Sequence, residues 1–194
     1  ASIIPTVIGT ISAIAIHNMS PRRKAILTNL SYIPMVNPDI VIGISLLSFF
    51  SILNLKLGYI TLILAHITFN IPYVIFAVLP KLQQLNPNIE EAALDLGATP
   101  IQAFFKVILP EIMPGIITGS LLAFTLSLDD FIVSFFTTGS GVSTLSIKVY
   151  SMTKRGISPK INALSSLMFI AVLALMLLLQ VRDAKNKSRS DNVR

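Results

Sequence analysis

Two adjacent carboxylates, Asp129 and Asp130, stand in Leu126-Ser-Leu-Asp-Asp-Phe-Ile-Val-Ser134, a run that otherwise suits lipid. A carboxylate within a bilayer costs about 2.5–3.5 kcal/mol on insertion scales, so the pair needs a partner or a water-filled cavity. One chemistry for it is a cation route, in which anionic side chains replace part of the hydration of a positively charged substrate. The other is structural: a helix break at Ser127 capped by Asp129, or pairing with a basic residue of another subunit. Successive helical positions differ by about 100°, so only one of the two points straight at a pathway. Three more residues belong with them. Asp39 follows Pro38, where a helix dipole favours a carboxylate. Tyr73, one turn after Phe69, offers an aromatic face to a cation or simply packs, and His66 reads as a hydrogen-bonded packing histidine between helices.

Covalent chemistry has little to work with. The absence of Cys excludes disulfides, thiolate metal sites and Cys nucleophiles, and two isolated His residues with no Trp leave little for metal chemistry. Neither His-Glu-x-x-His nor Gly-x-Ser-x-Gly occurs. The G-x-x-x-x-G-K-[ST] phosphate loop is also missing, and Gly139-Ser140-Gly141 is too short to replace it. No catalytic residue, metal or cofactor is expected in this chain, and any ATP-Mg must be bound by a partner.

The elements that hold these residues are membrane helices. Of 194 residues 53% are hydrophobic and 12% charged, and mean hydropathy is +0.77; a soluble domain is about one quarter charged. A spanning helix needs about 20 apolar residues, and five candidate windows appear: A, 1–16, short because the sequence opens within it; B, 33–53; C, 57–79; D, 112–137; and E, 161–181. The spanning part of B is expected to begin close to Pro38. Alternate spanning puts Arg22, Arg23, Lys24, Lys81, Lys106 and the basic tail on one side, which the positive-inside rule makes cytoplasmic. Five spans leave the observed N-terminus outside, so a further helix upstream is expected, six in all. The organisation read here is one transmembrane domain over 1–181, with a cytoplasmic loop at 81–110, and a basic cytoplasmic tail over 182–194. On the outer side, Leu145, Val149 and Met152 share one face of a short surface helix.

The 81–110 connection is long for a compact protein, which marks it as built for a partner. Asn88 stands three before Glu91, a capping-box spacing, and Ile89, Ala92, Ala93 and Leu96 recur with helical period. Gly97 is placed as the left-handed stop. Thr99 then caps a second helix, with Pro100 at its first position and Gln102 three after the cap.

Glu91-Ala92-Ala93, then Gly97, then Val107-Ile108-Leu109-Pro110 resembles the EAA loop of ABC importer permeases, with Val107 where that family usually has Ile. The resemblance implies that Glu91, Ala92, Ala93, Gly97, Leu109 and Pro110 belong to the element that couples the permease to a cytoplasmic ATPase. Asn37-Pro-Asp-Ile-Val41, Ala65-His-Ile-Thr-Phe69, Asp95-Leu-Gly-Ala98, Ser127-Leu-Asp-Asp130, Lys148-Val-Tyr-Ser-Met152 and Gly156-Ile-Ser-Pro159 narrow it to permeases of the spermidine/putrescine type. The chain thus resembles a type I importer permease with an all-α, MetI-like membrane fold. Implied with it are a second permease subunit, a cytoplasmic ATPase dimer, an external polyamine-binding protein, and an inner-membrane location. On this reading Asp129, Asp130, Asp39 and Tyr73 are the candidates for the substrate path. Rival readings are a permease for another solute and an ATP-independent carrier or channel; only an ABC permease requires an ATPase at the loop.

Overall fold

The computed structural model describes residues 2–153, 159, 162–163, 165–174 and 176–177, and among these every regular element is helical. They are α1 (Ile3–His17), α2 (Pro21–Val36), α3 (Asp39–Ile52), α4 (Tyr59–Gln84), α5 (Ile89–Asp95), α6 (Pro100–Ala103), a π-helical turn (Phe104–Ile108), α7 (Leu109–Asp129), α8 (Ile132–Thr137) and α9 (Leu145–Thr153). The chain divides into two compact units, residues 1–147 and 148–194, with the boundary inside α9. The second unit contains the apolar helix α10 (Ser165–Ala174), which lies within segment E. Residues 161, 164, 175 and 178–181 of that segment, Lys154, Arg155, Lys160 and the 182–194 tail lie outside the described residues.

In the first unit α4 is the centre, with α1 and α7 packed against it. Small residues permit the approach. A Cβ on Gly9 would fall 2.6 Å from Val74 Cβ, one on Gly115 would fall 2.8 Å from the Ala77 carbonyl, and one on Gly119 would fall 3.2 Å from Val74 Cα. Gly115 and Gly119 are four apart and so share one face, the arrangement that lets two membrane helices meet backbone to backbone. Ala13, Val74, Val78, Ile112 and Ala123 fill the contact. A second contact joins α3 to α8, where a Cβ on Gly43 would meet the Phe136 ring at 2.8 Å and Phe50, Ala65 and Val133 are buried together.

Among the described residues two helices can cross a bilayer by length and composition, Tyr59–Gln84 and the run Pro100–Asp129, and α2 with α3 makes a third if their bent pair counts as one span. Segment C is therefore α4, which starts two residues later than expected, at Tyr59, and runs on to Gln84. Segment B differs from expectation because Pro38 has no N–H and holds Asn37 extended, at ψ 141°, so helix cannot run through. The two pieces meet at 103°. As anticipated, the second begins directly after Pro38. Arg22, Arg23 and Lys24, read as loop, form the first turn of α2, seeded by Pro21 at its first position.

Segment D differs at both ends. Its helix starts at Pro100, because the π turn carries it through Phe104–Ile108, with Leu109 N–H bonded to the Phe104 carbonyl. Pro110 supplies no donor for the carbonyl four residues before it, and a widened turn is one way to absorb that loss. At the other end the helix stops at Asp129 instead of running to Thr137.

Candidate functional site

The stop is built by Asp130. Its N–H still closes the last turn of α7 on the Leu126 carbonyl at 2.9 Å, but its ψ of 117° turns the chain out of the helix. Its carboxylate then accepts from the backbone N–H groups of Val133 (3.1 Å) and Ser134 (2.7 Å), the first free donors of α8. The break and its cap are thus one residue on from Asp129, and three beyond the expected break at Ser127. On α4, His66 Nε2 lies 3.5 Å from Asp130 Oδ2 and 3.0 Å from Ser134 Oγ, with only 5% of either side chain of the His66–Asp130 pair exposed. The Asp130 carbonyl accepts from Ser146 Oγ, at the start of α9, at 2.6 Å.

Two further bonds extend this contact into a seam. Asn70 Nδ2, on a fully buried side chain, donates to the His66 carbonyl (2.7 Å) and to Ser127 Oγ of α7 (2.9 Å). One turn beyond His66 in the other direction, Thr61 Oγ1 donates to the Thr137 carbonyl at the end of α8 (2.7 Å). The membrane interior offers backbone and carboxylate groups no water, so a broken helix survives there only where another helix satisfies it. α4 does this for the break between α7 and α8. His66 is thereby the packing histidine it was expected to be.

Asp129 is placed differently from its neighbour. It is exposed and, among the described residues, no hydrogen bond or ion pair holds its carboxylate. The paired carboxylates divide into one consumed by the fold and one left over.

Asp39 opens α3 and acts electrostatically on the Tyr73 hydroxyl. Counted at about 1.5 Å per residue, Tyr73 lies roughly 21 Å along α4 from Tyr59, and His66 roughly 10 Å. Asp39 is exposed at the first position of α3, directly after the bend at Pro38. Both broken helices carry a carboxylate at the start of their second piece, where the helix dipole favours negative charge. Tyr73 also packs on Phe69, with ring centroids 5.4 Å apart.

The 81–110 loop takes the helix, glycine, helix form. α5 ends in a Schellman motif: Ala98 N–H bonds the Ala93 carbonyl (3.1 Å), Gly97 N–H bonds the Leu94 carbonyl (2.9 Å), and Gly97 has φ +87°. Thr99 and Gln102 form the expected reciprocal box, at 3.3 and 3.0 Å. The expected box at Asn88 does not form. Its side chain makes no cap, and Asn86 Oδ1 takes the Asn88 N–H instead, at 3.0 Å. Glu91 and Ala92 are exposed while Ala93 is buried, so α5 turns its acidic face outward. Leu109 and Pro110 are part of α7, not of the loop.

Reading single motifs missed the seam. Its signal was nonetheless present: Thr61, His66 and Asn70 recur at five and four residues on one helix, and Ser127, Asp130, Ser134 and Thr137 at three, four and three on its neighbour. Polar residues at helical spacing inside two apolar runs mark facing stripes.

Residues 6–184 match the family described as the inner membrane component of binding-protein-dependent transport systems. The chain belongs to that family, which makes it a multi-pass inner-membrane permease of the ABC class, a type that works with partner subunits. It is similar to the spermidine/putrescine transport system permease protein PotC of Haemophilus influenzae, 38% identical over 186 residues that cover 96% of this chain and 72% of that protein. PotC of Escherichia coli K12 is 39% identical over 191 residues, 97% of this chain and 72% of the relative. The putrescine transport system permease protein PotI of the same strain is 47% identical over 145 residues, 72% of this chain and 52% of PotI.

Proposed function

We propose that this chain is a permease subunit of an ATP-driven polyamine importer, forming part of the path for spermidine or putrescine and coupling it to a cytoplasmic ATPase. The observation that carries this reading is the continuous helical run from Pro100 to Asp129, which joins the glycine-turned loop to the unpaired carboxylate. A displacement of α5 and α6 is delivered through that run to the break where Asp129 stands. The names of the similar proteins supply the substrate class, and an exposed carboxylate beside a helix break suits a polycation.

In this mechanism Glu91, Ala92, Ala93 and Gly97 sit in the ATPase groove, while Leu109 and Pro110 begin the helix that carries the motion. A second permease subunit completes the path, an ATPase dimer binds ATP-Mg and hydrolyses it, and an external polyamine-binding protein delivers the cargo. The chain performs no covalent step and holds no cofactor. Asp129 holds the polyamine in the path, Asp39 with Tyr73 forms a second cationic station deeper along α4, and Asp130 contributes by fixing the break.

The test is labelled spermidine uptake by cells lacking other polyamine importers and expressing the full-length permease with its neighbouring subunits. Uptake that requires ATP and is competed by putrescine is expected. ATP hydrolysis by the assembled complex with no polyamine movement would keep the ABC class and overturn the substrate.

A further inference from the structure

A cavity of about 370 Å³ lies where the ends of α1 and α4 meet α5 and the π turn, within the range of about 300–1,000 Å³ usual for small-molecule sites. Its floor is apolar, from Ile14, Leu82, Leu85 and Ile89. Its polar groups are His17, Asn18, Gln83, Glu90 and Asn86, whose Oδ1 already accepts from the Asn88 N–H. Glu90 makes no ion pair among the described residues, and His17 Nδ1 is buried with no hydrogen-bond partner. No Lys or Arg lines the cavity, although Lys24 acts on His17 electrostatically from outside it.

The electrostatics favour a cation. α1 ends at His17 and α4 at Gln84, so two helices turn their carbonyl ends toward this space. Each such end carries roughly half a negative charge and Glu90 adds a whole one, against roughly half a positive charge at the start of α5, which lines the same cavity. A ligand that matches both halves of the lining has ammonium ends joined by methylenes: the ammonium groups donate to Glu90, to the Asn18 and Gln83 amide oxygens or to His17, and the chain lies on the apolar floor. Such a ligand would bridge the helix ends to α5.

We infer that this cavity is a binding site for a linear aliphatic polyamine on the cytoplasmic side, where an occupant fixes α5 against α1 and α4 and slows coupling. The inference rests on the polyamine-importer reading above. It assigns the transported product a second, regulatory site, separated from Asp129 by the length of α7.

The experiment uses the assembled transporter in nanodiscs without binding protein, with ATP hydrolysis followed against spermidine concentration. Wild type should slow as spermidine rises, and Glu90→Gln should raise the half-maximal concentration about tenfold or more, the loss expected for one charge-assisted hydrogen bond. An unshifted dose response in a well-assembled Glu90→Gln complex would overturn the site. A second measurement needs no variant: a diazirine-bearing diamine should label residues 14–18 or 82–90 in the wild-type complex, and labelling confined elsewhere would overturn the site independently. Wild-type spermidine uptake is measured in parallel. Its absence would overturn the polyamine reading and this site with it, whereas full uptake with an unshifted dose response would overturn the site alone.

Discussion

The 81–110 loop and the seam between α4 and the α7–α8 break are built by opposite means. The loop is local: each bond that shapes its two turns joins residues within five positions, and the side chains that face outward are left for a partner. The seam is long-range, joining Thr61 to Thr137 and His66 to Ser134 across 76 and 68 positions, with its polar atoms buried. Local code holds a shape that must move as a unit and be read by another subunit. Long-range pairing holds a helix open at a point where membrane would otherwise close it.

The largest expected effect lies between these regions, in the helix that connects them. Gly115→Leu places a side chain against the Ala77 backbone, where even a Cβ would sit at 2.8 Å. Separation of α7 from α4 should follow, with membrane abundance of the permease falling severalfold in immunoblots; overpacking of this kind costs about 1–3 kcal/mol or more.

Gly97→Val tests the local half alone. A Cβ there meets nothing within 4 Å, so the damage comes from φ +87° and not from a clash, at a cost of about 1–3 kcal/mol for a residue held outside its usual region. Uptake should fall at least about tenfold with normal abundance, and Gly97→Asn, which accepts left-handed φ, should recover most of it. Equal loss in both variants would mean that the partner requires the absence of a side chain, not the turn.

Asp130→Ala tests the long-range half. It removes the cap of α8 and leaves His66 without its carboxylate, so the purified complex should melt several degrees lower, corresponding to about 1–2 kcal/mol for the cap. Asp130→Asn, which keeps an acceptor, should lose less. Thr61→Val removes the buried bond to the Thr137 carbonyl and the acceptor of the Gly58 N–H, each about 1 kcal/mol or less, and should be read as a small drop in melting temperature with uptake retained. A Thr61→Val effect as large as that of Asp130→Ala would show the seam to act as one unit.

These two regions also differ in how far the sequence disclosed them. Gly97, Thr99 and Gln102 act on neighbours in the chain, so their spacing alone predicts the turn and the cap. The box at Asn88 lost its reciprocal half because a nearer acceptor, Asn86, took the Asn88 N–H that Glu91 would have reached, a competition that spacing does not rank. Segments A to E located the helical material, but apolar content is blind to what happens at Pro38 and Asp130. Pro38 carried a warning of the bend. Asp130 did not, because capping from inside an apolar run depends on His66, 64 positions away, arriving to cover it. The division of labour between Asp129 and Asp130 was for that reason beyond the sequence: as residues they are identical, and only the break between their environments separates them.

Spermidine uptake by Asp129→Asn and Asp130→Asn complexes, each at matched membrane abundance and with melting temperature recorded alongside, tests that division most directly. Asp129→Asn should lose uptake by about tenfold or more while keeping wild-type stability, and Asp130→Asn should lose stability first, with uptake falling only in proportion to intact complex. Full uptake by a stable Asp129→Asn complex would contradict the assignment of that carboxylate to the path.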